Sequence, residues 1–89
     1  MKHLYGDVYR CETPDEYKQL MESKERRGIF LCKWGKVNCV LDNMQGEAID
    51  ASFYYPENAK KYVADLLAKY NTHRSMRIRD LSKGYGYLT

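Results

Sequence analysis

Residues 29–42 read Ile29-Phe30-Leu31-Cys32-Lys33-Trp34-Gly35-Lys36-Val37-Asn38-Cys39-Val40-Leu41-Asp42, two apolar-rich runs on either side of a Gly-Lys pair. A Gly-X pair supplies the positive φ required at the first central position of a type II′ turn, and a two-residue turn fixes the register of the hairpin it closes. Trp34 then faces Val37, Cys32 faces Cys39 and Phe30 faces Leu41, all on one side, because side chains alternate along a strand. The other side carries Ile29, Leu31 and Val40. Both sides are therefore apolar, whereas an antiparallel sheet with one solvated face keeps that face polar. What covers each side decides the fold.

Upstream, Thr13-Pro14-Asp15-Glu16 combines a Thr N-cap, Pro at the first helical position and a Glu that reaches back toward the cap. A helix starts there, with Tyr17, Leu20 and Met21 on one face, a basic last turn of Lys24, Arg26 and Arg27, and Gly28 as its stop. Residues 4–11, rich in Tyr and Val, predict a single first strand. Downstream, Asn43-Met44-Gln45-Gly46 predicts a loop, and Ile49, Ala51 and Phe53 alternate with Asp50 and Ser52 as in a third meander strand. Pro56-Glu57-Asn58 opens a second helix, in which Ala59, Tyr62, Val63, Leu66, Leu67 and Tyr70 recur at helical spacing and Asn71 is the end. Met76 and Ile78 alternate with Arg77 and Arg79, predicting a last strand before a tail at 82–89.

The predicted order is β-α-β-β-β-α-β. It implies an α+β fold with two helices packed on one face of a mostly antiparallel sheet of four or five strands, a ferredoxin-like variant. Fusing residues 29–41 into one bent strand gives a plain βαββαβ alternative. In either case Leu31, Val40, Ile49, Ala51 and Phe53 face the helices. Phe30, Cys32, Trp34, Cys39 and Leu41 are left on a face without a helix, to be covered by the tail through Tyr85, Tyr87 and Leu88, or by a partner.

The 89 residues, 44% hydrophobic and 30% charged with six Gly and two Pro, make one globular domain at 1–89 and exclude long disorder. No apolar stretch approaches the roughly 20 residues of a membrane span, and the start MKHLYGDVYR carries no apolar signal core. A soluble, cytoplasmic protein with no membrane association is expected. Cys11, Cys32 and Cys39 are an odd count without a C-x-x-C, so reduced, buried thiols are expected rather than disulfides or zinc. His3 and His73 have no ligand-type residue at metal spacing. No nucleophile with a base and no carboxylate pair is visible, which predicts no catalytic residue, no metal and no cofactor.

Residues 1–68 carry ten Lys/Arg against eleven Asp/Glu, and residues 69–89 carry five against one, so the C-terminal segment is basic. Lys83-Gly84-Tyr85-Gly86-Tyr87-Leu88 resembles the RNP1 consensus of the RNA recognition motif, whose aromatics stack on bases. It departs from that family in lacking the final aromatic and in having no helix and strand after it.

The sequence thus predicts a small non-catalytic protein-binding module, a regulator, inhibitor or adaptor of the kind phage and mobile elements encode. Its expected interface is Phe30, Trp34, Leu41 and Tyr54, occupied by a protein partner or by a second copy in a homodimer. The alternative is weak RNA or single-stranded nucleic-acid binding through Arg74, Arg77, Arg79, Lys83, Tyr85 and Tyr87 with an open sheet face.

Overall fold

The computed structural model describes the backbone of residues 1–82 and the side chains of residues 1–71. Its elements, in chain order, are β1 (Lys2–Tyr5), β2 (Val8–Arg10), α1 (Pro14–Ser23), β3 (Ile29–Trp34), β4 (Val37–Asp42), β5 (Ile49–Phe53) and α2 (Pro56–Ser82). The five strands form one open sheet in the order β1-β2-β3-β4-β5. All neighbours are antiparallel except β2 and β3. The protein is a small α+β domain, and the central hairpin has the register its turn dictates, with Gly35 at φ +64° and Trp34 opposite Val37, Cys32 opposite Cys39, Phe30 opposite Leu41.

The expected single strand at 4–11 is two strands, because Gly6 (φ +50°) and Asp7 form a second two-residue turn. This adds a hairpin before α1 and makes β2-α1-β3 a parallel crossover, the connection a helix is long enough to supply. The chain enters β3 through Gly28 at φ +146°, where an added Cβ would lie 3.0 Å from the Asp7 carbonyl oxygen and 3.2 Å from the Phe30 ring. Only glycine fits that passage.

The helices do not share a face. Tyr17, Leu20 and Met21 of α1 pack on Cys11, Phe30, Cys32, Cys39 and Leu41, while Val63 and Leu66 of α2 pack on Val8, Ile29 and Val40. The face expected to lack a helix is the one α1 covers, and Phe30 and Leu41 are fully buried there. A parallel crossover lifts α1 to the side opposite α2, so the two-sided apolarity of the hairpin is answered within the chain.

At α1 the Thr13 hydroxyl accepts the Glu16 N–H at 3.2 Å, as its cap motif predicts, but the Glu16 carboxylate accepts from the Glu12 N–H at 2.9 Å rather than from Thr13. The helix ends at Ser23 with Lys24 left-handed (φ 58°), its N–H donating to the Leu20 carbonyl at 3.0 Å. Lys24, Arg26 and Arg27 therefore lie past the helix instead of forming its last turn. Asn43, fully buried, accounts for the early stop: its Nδ2 donates to the Lys24 and Arg26 carbonyls at 3.2 and 2.7 Å, holding the loop that leads into β3.

α2 packs on the sheet with the residues its periodicity selects, Val63 and Leu66 buried and Ala59, Tyr62, Leu67 and Tyr70 partly buried. It does not stop at Asn71, and the strand expected around Met76–Arg79 is part of this helix. No Gly or Pro interrupts the sequence between Pro56 and Gly84, and a four-residue alternation is too short to outweigh continuation of a formed helix. No helix among the described residues is long and apolar enough to cross a membrane.

Candidate functional site

The sheet has two ends. At one, Asp42 is nearly buried and its carboxylate accepts from the Tyr70 hydroxyl at 2.7 and 2.9 Å and from the Met44 N–H at 3.2 Å, joining α2 to the sheet. Burial first, then this hydrogen bond, raises the Tyr70 pKa. The groups there are satisfied by the chain itself.

The other end carries the turn of the central hairpin and the exit of β5. Trp34 is 46% exposed, Tyr54 75% and Tyr55 66%. Extending the observed pairings by one residue puts Trp34, Val37 and Tyr54 in one row across β3, β4 and the end of β5, with neighbouring strands about 4.8 Å apart. The row is held by Asn38, whose Nδ2 donates to the Phe53 and Tyr54 carbonyls at 3.2 Å each. Trp34 is thus presented at the end of a paired strand, and Tyr54 in a bend whose carbonyl Asn38 holds.

On the opposite face of the sheet from this row, the α2 side, lies a groove of about 410 Å³. Leu31 and Val40 of the sheet and Val63 of α2 contribute apolar lining, and Arg10, Lys33 and Lys60 contribute the cations. All three cationic side chains are exposed, and none makes an ion pair among the described residues. Glu12 also lines the groove, but its carboxylate lies 3.6 Å from the Met1 ammonium.

Of the expected interface residues, Trp34 and Tyr54 are surface groups that the fold brings together, whereas Phe30 and Leu41 belong to the α1 core. The structure adds Tyr55 beside them. The adjacent Tyr54-Tyr55 pair before Pro56 was the sequence signal for it, since an aromatic between a strand and a helix has neither element's core to enter. Lys33 was also legible, because the hairpin register puts it on the side of Leu31 and Val40. Arg10 was not, because its position depends on the unpredicted parallel pairing of β2 with β3.

The expected nucleic-acid residues divide. Arg74, Arg77 and Arg79 lie on the α2 backbone instead of on a strand, while Lys83, Tyr85 and Tyr87, with the rest of the tail after Ser82, lie outside the described residues. Neither face of the central hairpin is an open stacking platform, since one helix packs on each.

Among the described residues no group of three or more His, Cys, Asp and Glu could hold a metal. Burial raises all three thiols, Cys11 to about 12, and so keeps them protonated and weakly nucleophilic. His3 is spent on the Gly6 carbonyl at 2.8 Å and on a tilted contact with the Tyr9 ring. Tyr17, whose hydroxyl donates to Asp50, has its pKa raised by burial and then by that bond. Comparison with protein-family models, curated proteins and solved structures finds no match to this chain.

Proposed function

We propose that the chain is a small non-catalytic binding module that acts by docking on a partner protein, as a regulator, inhibitor or adaptor. The observation that carries this reading is the row of Trp34 and Tyr54, followed in the chain by Tyr55, exposed at one end of the sheet with the Tyr54 carbonyl held by Asn38. Exposed Trp and Tyr give large contact area at low entropy cost and dominate the energetics of protein interfaces. Val37 of the row packs on the α1 core, but Trp34, Tyr54 and Tyr55 belong to neither core cluster, which leaves their exposed surface for something else to bury. A second copy of the chain is one such partner, and homodimerisation through the same row belongs to this reading.

Pull-down from lysate, with and without nuclease, tests it. Capture of a protein that resists nuclease is expected, or self-association in sedimentation if the partner is a second copy. Trp34→Ala and Tyr54→Ala should each weaken that association at least about tenfold, as truncation of an aromatic anchor does. Recovery of RNA instead, lost in Arg74→Ala/Arg77→Ala, would favour the nucleic-acid alternative. Capture unaffected by both aromatic substitutions would remove this end from the interface.

A further inference from the structure

We propose that the groove between α2 and strands β2, β3 and β4 is a binding site for a small soluble organic anion, one with an aliphatic body and a single carboxylate or phosphate head. The site lies on the opposite face of the sheet from the aromatic row and does not depend on protein docking. Its volume, about 410 Å³, lies within the roughly 300–1,000 Å³ of small-molecule sites, which are apolar in the main with a few converging polar groups. Half-buried Leu31 and Ala59 and the exposed Tyr5 supply the apolar surface over a floor of buried Val40 and Val63, and a ligand with no aliphatic portion would leave that surface wet.

The charge of the head follows from the rim. Arg10 from β2, Lys33 from β3 and Lys60 from α2 all line the groove, three cations from three separate elements, without an ion pair among the described residues. The carboxylate in reach, Glu12, is already beside the Met1 ammonium. Residues 1–68 carry no net positive charge, so this concentration of cations is local and suits one compact anion better than a long polyanion.

The probe is octanoate, titrated into the ¹⁵N-labelled full chain and followed by amide shifts and calorimetry. Saturable one-to-one binding is expected, with the shifts centred on Leu31, Lys33 and Lys60. Octyl phosphate should bind comparably. Octanol, which has the chain without the charge, and inorganic phosphate, which has the charge without the chain, should each bind at least about tenfold more weakly. Arg10→Gln, Lys33→Gln and Lys60→Gln alter exposed side chains and should leave the fold intact by circular dichroism. Each should weaken octanoate by about three- to tenfold. Octylamine or octanol binding as well as octanoate, absence of saturation, shifts confined to Trp34 and Tyr54, or indifference to all three substitutions would each overturn the proposal. A chain that fails to capture a protein partner yet binds octanoate in this way would separate the two readings.

Discussion

Asn43 is a polar side chain with no exposed surface, and each of its polar groups has a use. Its amide nitrogen holds two carbonyls of the loop after α1, its Oδ1 accepts the Ala48 N–H at 3.0 Å, and its own backbone N–H donates to the Gly28 carbonyl at 2.8 Å. One residue thereby ties the entry to β3, the loop after β4 and the approach to β5. Asn43→Ala removes three side-chain hydrogen bonds and leaves the partners buried in part, so a loss of about 3 kcal/mol is expected in urea unfolding. A loss below about 1 kcal/mol would mean that the three segments hold together without it. The sequence identified Asn43 only as the first residue of a loop, because its role depends on two segments far apart in the chain.

At the scale of elements, the layer between α1 and the sheet is rich in weak acids held neutral. Cys11, Cys32, Cys39 and Tyr17 all have pKa values raised, in each case first by burial, and Cys11 moves from 9.0 to about 12. In the folded chain these groups keep protons that the unfolded chain releases, so stability is fully present below about pH 9 and falls as pH rises from there toward about 12. The urea midpoint should be level between about pH 7 and 8.5 and decline above about pH 9. A midpoint unchanged to about pH 11 would contradict the burial of this layer.

The same layer shows what was legible and what was not. The Thr13-Pro14 start, the buried stripes of both helices and the 29–42 register were readable because each rests on neighbours in sequence. The Gly6-Asp7 turn carries the same Gly-X signal as Gly35-Lys36, yet its flanking strands, Lys2–Tyr5 and Val8–Arg10, are too short to show alternation. Missing it hid the parallel crossover, and with it the assignment of one helix to each face. The continuation of α2 past Asn71 was hidden by the Arg77/Arg79 alternation, which a helix also permits.

For the molecule as a whole, covering both faces of the hairpin turns the question of function from a sheet face to a sheet end. Phe30 and Leu41 became core, Trp34 and Tyr54 remained surface, and the cations of the groove came from strands and a helix that the sequence does not place side by side. Trp34 is the single tryptophan, so its fluorescence reports this end without substitution. The most direct measurement is acrylamide quenching of Trp34 in the free chain at low concentration, repeated with the captured partner or at concentrations where the chain self-associates. The fold predicts efficient quenching and red-shifted emission in the free chain, matching 46% exposure, and protection on association. Blue-shifted, quench-resistant emission from the dilute, monodisperse chain would contradict it, because the aromatic end would then be covered by the chain itself and closed to a partner.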